Sequence, residues 1–397
     1  MRALLLQITA VTAMNLKSLP KRFWLSLSTV IAVALVVVVL LAFLAMQNGF
    51  QQTLASAGAK DVAVILRAGS QSEVASVITQ DQVRLIDEAP GIAKGSDGKP
   101  LVSAELYLVV DGIKHSSQTK ANLPLRGIGQ EGAAVRKGIT ITAGRMFAPG
   151  SNEIVVGEAL LKEFDGLQLG DTVTFGTGRW KVVGVFKAEG SVFESEIWAD
   201  LPVVQSFFNR DNVFQTVRVR LVNPAALAGL QRYLDTDPRL KELEAKSEAA
   251  YFAEQASRTT DLIQKLGWPL AIAMAFGALA GALNTMYSSV AARTTEIATL
   301  RAIGFGGLPA FVGTLTESLI LAAIGGVLGA AATFLTFNGL SAATLGASFT
   351  QVVFSFKLTP TAAAEGVALA LIVGLLGGIF PSIRAARMPI LAGLYGR

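Results

Sequence analysis

No cysteine occurs in the 397 residues, which excludes a disulfide framework and any thiol-ligated metal. Histidine occurs once, as His115 in the polar stretch DGIKHSSQTK. That leaves little for a histidine metal site or general base, and a surface-loop residue is the simpler reading. Charge is scarce too: 16% of residues are charged and 52% are hydrophobic, whereas soluble proteins carry nearer a quarter charged residues. The deficit points to membrane segments. Catalytic signatures are also missing. No Gly-x-x-x-x-Gly-Lys-Ser/Thr phosphate loop is present, and the Gly-Lys of SDGKPL lacks both the upstream Gly and the following Ser or Thr. Gly-x-Ser-x-Gly and His-Glu-x-x-His are absent as well. The sequence therefore holds no energy source of its own, and a non-catalytic role without cofactor, metal or nucleic acid is expected.

What is present is apolar and segmented. A bilayer crossing needs roughly 20 apolar residues, and four stretches qualify: 23–46, 266–292, 308–337 and 362–383. The first two carry no charge, the third is interrupted only by Glu317, and the fourth holds Glu365 near its start. The first stretch could be a signal peptide, because Lys17, Lys21 and Arg22 precede it and Ala55-Ser56-Ala57 resembles a cleavage site. Its apolar run is much longer than a signal core of about 7–15 residues, and the Ala-x-Ala lies well past its end. An uncleaved anchor is the better reading.

Lysine and arginine in short flanks set orientation. Arg2, Lys17, Lys21 and Arg22 precede the first span, Arg293 and Arg301 lie between the second and third, and Arg384, Arg387 and Arg397 follow the fourth. The 338–361 loop holds only Lys357. With four spans all three basic flanks share one side. Both termini (1–22, an amphipathic segment, and the tail 384–397) and the 293–307 loop are expected in the cytoplasm, with residues 47–260 and 338–361 outside.

The 47–260 region reads as an α+β domain with short elements. GDTVTFGTGRWKVVGVF, residues 170–186, is patterned as a β-hairpin around Gly-Thr-Gly. GITITAGRMF, NEIVVGEALLKEF and TVRVRL give further strands, the second leading into a helix on which Glu158 and Glu163 are solvated. Residues 237–257, rich in Ala, Glu and Lys, predict a helix that approaches the second span, with Thr259 to Lys265 as the join.

RTTEIATLRAIGF, residues 293–305, stands out as a charged island between apolar spans. Read as a helix, it aligns Ile297, Leu300 and Ile303 on one edge. It also puts Glu296 within pairing distance of Arg293 and Arg301. Gly304 is a sensible stop. Such a helix can rest on lipid headgroups or dock in a partner's groove, and the residues alone do not choose.

The same segment resembles the cytoplasmic coupling segment of the MacB/FtsX-type ABC transporter permeases, through Arg293, Glu296, Ile297, Leu300, Arg301, Ala302, Ile303 and Gly304. TESLILAAIGGVLGAAA (316–332) resembles that family's third span, including Glu317, and GGIFPSIRAARMPILAGL (377–394) resembles its end. GRMFAPGSNEIVVGEALLKEF, LGDTV and WKVVGVF are similar to the MacB-type periplasmic core. The resemblance implies a four-helix integral membrane protein of the inner membrane with a large extracytoplasmic α+β domain between helices one and two. It also implies that 293–304 docks on an ATPase subunit, present in two copies, and that the permease dimerises. Because no ATPase domain precedes the first span here, unlike the family's fused members, and the tail after Arg387 is short, the ATPase is expected to be a separate polypeptide. By the same resemblance, ATP-driven closure would rearrange the outer domains to export or extract a substrate, with a periplasmic adaptor as a further partner. Lipoprotein or lipid extraction and FtsX-like activation of an envelope enzyme are the alternatives.

Two residue sets belong to this expectation. Gly277 and Gly281, Gly325 and Gly329, and Gly374 and Gly378 place small-x-x-x-small faces on spans two, three and four, permitting close helix approach. Glu317 is an intramembrane carboxylate expected about one or two turns from the cytoplasmic end, within reach of water, in a structural or coupling role rather than in proton transport.

Overall fold

The computed structural model describes residues 2–346 and 348–390. Residues 391–397 of the 384–397 tail, Arg397 included, lie outside the described residues. The elements begin with α1 (Arg2–Ser18), α2 (Phe23–Ala57), β1 (Val62–Arg67), β2 (Ile78–Thr79), α3 (Gln80–Asp87), β3 (Val102–Lys114) and β4 (Lys120–Ile128). They continue with α4 (Gly132–Val135), β5 (Thr140–Gly144), β6 (Glu153–Gly157), α5 (Leu160–Glu163), β7 (Phe164–Asp165), β8 (Thr172–Phe175) and β9 (Gly178–Lys187). Next come β10 (Ile197–Asp200), α6 (Leu201–Phe207), β11 (Val213–Phe214), β12 (Thr216–Arg220), α7 (Ala226–Thr236) and β13 (Leu243–Ser247). The chain ends through α8 (Glu248–Ala292), α9 (Thr294–Ala302), α10 (Gly307–Phe337), β14 (Ser341–Leu345), β15 (Gln351–Ser355) and α11 (Pro360–Ala386). Two compact units result, one helical (1–48, 263–340 and 356–397) and one α+β (49–262 and 341–355).

In the helical unit, α2, α8, α10 and α11 are each long and apolar enough to cross a membrane. Their packing follows from small residues. A β-carbon placed on Gly325 or Gly329 would stand 2.8 or 2.7 Å from the carbonyl oxygens of Val30 or Ala34 on α2. Gly374 and Gly378 are closed off in the same way by Ala322 and Ser318 of α10. Val33, Val37 and Leu41 of α2 complete the buried seam with Ala370 and Val373 of α11. Gly277 and Gly281 differ: nothing lies within 4 Å of either position.

The α+β unit carries an eleven-stranded sheet in the order β13-β1-β12-β3-β4-β10-β6-β9-β5, with β7 on β3 and β8 on β9. One core sets Ile65, Val217 and Val219 of the sheet against Ile86 of α3 and Leu230 and Leu234 of α7. A second gathers Leu106, Leu125, Val156, Trp180 and Ile197 with Val204 of α6.

Several element boundaries differ from the sequence reading, each for a physical reason. α2 continues past residue 46 to Ala57 because no Pro interrupts it, and Gly49 in its path lies against the Ser355 carbonyl. The 237–257 helix begins only at Glu248. Leu243 to Ser247 instead pair with β1, and the alternation of buried Leu243 and Ala245 with more exposed Glu244 and Lys246 overrides local helix propensity. α8 then runs unbroken through Thr259 to Lys265, so no separate join exists. The 338–361 loop contains the hairpin β14–β15, whose Val353 enters the second core. Ser195 Oγ accepts from Val353 N at 2.9 Å, Tyr107 and Thr350 share a hydroxyl bond at 2.9 Å, and Phe50 packs edge-on to Phe354.

Candidate functional site

The charged island forms α9, a short helix of the helical unit. Its stop has a defined geometry: Gly304 takes φ +104°, which favours glycine, and Phe305 N–H donates to the Leu300 carbonyl at 3.0 Å. Ile297 is buried and joins Val290, Ala310, Ala385 and Met388 in a small core that fixes α9 to the ends of α8, α10 and α11. Leu300 is half-buried, whereas Ile303 is 69% exposed. The expected continuous apolar edge is therefore split, because the chain has already left the helix at Ile303, its C-cap residue.

The ion pairs expected along α9 do not form. Arg293 turns inward, buried, and donates to Glu317 of α10, Asn15 of α1 and Ser289 of α8. Arg22, just before α2, donates to Ser289 and Ser18 and stands 3.4 Å from Glu317. Glu317 is thus enclosed by two guanidiniums and is 2% exposed, so the expectation that it reaches water is corrected. A long-range clasp replaces two helix-surface pairs because Glu317 would be costly to bury unpaired, and Arg293 alone among the α9 charges faces it. Arg301 is also redirected: its Nη1 donates to the Met388 carbonyl at 2.5 Å, tying α9 to the segment after α11.

Glu296 acts on Arg22 of the clasp only at a distance. It is exposed together with Thr295 and Thr299, and it makes no ion pair among the described residues. α9 therefore has one face anchored in the helical unit and one polar face whose carboxylate has no ion-pair partner among the described residues. Asn15, Ser289 and Arg22 are clasp residues that the sequence reading did not assign to it. The signal available was Asn15 itself, an amide set between the apolar Met14 and Leu16 of α1.

His115 is exposed and pairs with Asp165 at 2.7 Å on the α+β unit's surface. Among the described residues no group of His, Cys, Asp and Glu is arranged to hold a metal.

Comparisons with known proteins place both units. Residues 26–236 match the MacB-like periplasmic core domain, and residues 269–390 match the FtsX-like permease C-terminal domain. The macrolide export ATP-binding/permease protein MacB of Escherichia coli is 26% identical over 283 residues, 66% of this chain and 42% of that protein. The pyoverdine export ATP-binding/permease protein PvdT of Pseudomonas savastanoi pv. phaseolicola is 27% identical over 227 residues, 54% of this chain and 33% of that protein. The chain thus spans less than half the length of these relatives. Among solved structures, the periplasmic region of MacB from Actinobacillus actinomycetemcomitans aligns with 51% of this chain and 94% of its own, at 16% identity and a TM-score of 0.37. The extracellular domain of the transporter YknZ from Gram-positive bacteria aligns with 47% of this chain and 99% of its own, at 18% identity and a TM-score of 0.35. With one domain model covering more than half of its length and a second running from within α8 past the end of α11, the chain belongs to the MacB/FtsX-like family of ABC transporter permeases.

Proposed function

We propose that the chain is the permease subunit of an ABC transporter, coupling ATP hydrolysis by a separate ATPase subunit to rearrangement of its α+β unit on the far side of the inner membrane. The observation that carries this reading is α9: a helix fixed on one side by Ile297, Arg293 and Arg301, with Glu296 exposed and without an ion-pair partner among the described residues. A rigidly seated helix with one unpaired carboxylate suits a groove in a partner protein better than a lipid surface, where anionic headgroups repel acidic residues. The termini and α9 would then be cytoplasmic and the α+β unit periplasmic. Two permease protomers would pair with two ATPase subunits, and a periplasmic adaptor would complete the assembly. Export is favoured over lipoprotein extraction and signal transmission because the curated relatives are described as macrolide and pyoverdine exporters.

The test is Glu296→Lys in the full chain, co-expressed with its ATPase. Losing one member of a desolvated charged pair costs roughly 2–5 kcal/mol, so recovery of the ATPase should drop by tens of fold while membrane insertion is unchanged. Normal ATPase recovery would remove α9 from the interface.

A further inference from the structure

The α+β unit buries a cluster of seven charged side chains. Arg126 is bidentate to Glu196 at 2.7 and 2.8 Å and reaches Glu73 at 2.6 Å and Glu105 at 2.8 Å. Arg136 is bidentate to Glu105, both contacts at 2.7 Å. Arg218 reaches Glu105 at 2.6 Å, Glu73 at 3.0 Å and Glu248 at 3.2 Å. All seven side chains are buried. Three guanidiniums therefore face four carboxylates, and one carboxylate is surplus.

Geometry identifies the surplus member. Glu73, Glu105 and Glu196 each hold short contacts to Arg126. Glu248 touches the cluster only through Arg218 Nε, and its other partner, Ala59 N–H, is 3.4 Å away. Those two partners matter. Glu248 is the first residue of α8, and Ala59 lies just beyond the end of α2. The two helix roots meet here, where Gly58 is packed against Ala249 so closely that an added β-carbon would lie 2.6 Å from its Cα. Glu248 is thus a polar tie from both roots to β12.

We propose that Glu248 is a proton-linked tie, holding the roots of α2 and α8 against the sheet when protonated and loosening them when its proton passes to solvent. Ionised, it would be a fourth buried anion sharing Arg218 with Glu73 and Glu105. That penalty is relieved if the first turn of α8 shifts and lets the carboxylate reach water. The charged groups facing it are Arg218 of β12 and Arg136 after α4, and both are already committed to Glu105. Burial is the largest influence and raises the Glu248 pKa, outweighing Arg218, Arg136 and the Ala59 N–H, which favour the anion, as the N-terminal dipole of α8 also does. In Glu73, by contrast, Arg126 and Arg218 overcome burial and hold the carboxyl at about 2.

The role of this tie in transmitting motion rests on the permease reading, but its test does not. Full-length protein in detergent would be melted from about pH 4 to about pH 8 as wild type, Glu248→Gln and Glu248→Ala. A carboxyl whose folded pKa is raised contributes stability below its unfolded pKa and loses it as pH rises through the folded value. Wild type and Glu248→Gln should therefore melt together near pH 4, at the unfolded glutamate value of about 4.3 or below. Towards pH 8 the glutamine variant should melt progressively higher. Amide exchange of segments 55–62 and 247–256, corrected for intrinsic rates, should show protection falling with pH in wild type only. A gap that does not change with pH, or a wild type that gains on Glu248→Gln as pH rises, overturns the proposal. If Glu248→Ala fails to fold, the glutamine comparison still decides. ATPase pull-down of Glu248→Gln reads the permease assignment separately.

Discussion

Replacing Glu317 with leucine removes the anion from the clasp and leaves the guanidinium of Arg293 without its counter-charge. The side chains of Glu317, Arg293 and Arg22 are 2%, 6% and 13% exposed. Breaking a buried pair by deleting one partner costs about 3–5 kcal/mol. Arg293 keeps Asn15 and Ser289 as acceptors, and the less buried Arg22 keeps Ser18 and Ser289, so the lower end, about 3 kcal/mol, is expected. At about 1.4 kcal/mol per decade this is roughly a hundredfold shift in the folding equilibrium. Removing both charges tells a different story, because a buried pair exchanged for apolar groups is often neutral. Arg293→Met combined with Glu317→Leu should recover most of the loss, apart from a residue due to Arg22. The measurement is unfolding of the four proteins in one detergent, read as a double-mutant cycle. A Glu317→Leu protein as stable as wild type, or a double variant that loses the sum of both singles, would refute the clasp.

Orientation can be read with single cysteines in this cysteine-free chain. Ser116 and Thr295 are both exposed, and a membrane-impermeant thiol reagent on intact cells should label Ser116→Cys and spare Thr295→Cys; the reverse pattern inverts the topology. Gly329→Val drives a branched side chain into Ala34 and Val37 and should cost about 1–3 kcal/mol by overpacking. Gly277→Val meets open space within one chain and should leave the melting midpoint unchanged, while weakening self-association if a second protomer packs there; equal melting losses for the two would undo this contrast. Ser195→Ala removes the acceptor for Val353 N–H and should lower stability by about 1 kcal/mol in thermal unfolding, with no change if that bond is dispensable.

Family membership and the four long apolar helices were legible because both rest on local signals: uncharged runs of membrane length, and a motif confined to thirteen consecutive residues. The glycine pairs were legible as small faces, but their partners were not. Gly325 and Gly329 close on a Val-rich stretch of α2, because Val33 and Val37 supply the ridge and the glycines the groove. The clasp was misread because its members lie far apart in sequence. Arg293 and Glu296 are near neighbours on paper, yet Arg293 pairs with Glu317 and with Asn15, 278 positions away. The charge cluster of the α+β unit was invisible for the same reason: Glu73, Glu105, Arg126, Arg218 and Glu248 come from separate elements, and each reads singly as a solvated surface charge.

The hairpin β14–β15 makes the α+β unit discontinuous in the chain, and this bears on the order in which it can be made. Residues 49–262 leave the ribosome first, but the place filled by Val353 stays empty and Tyr107 and Ser195 lack their partners until residues 341–355 follow. Those residues are synthesised only after α10. The unit therefore reaches its final packing late in translation, once three of the four long apolar helices exist. A fragment cut at residues 49–262 would carry a permanent gap in its second core, and joining 341–355 to it through a short linker is the way to close that gap.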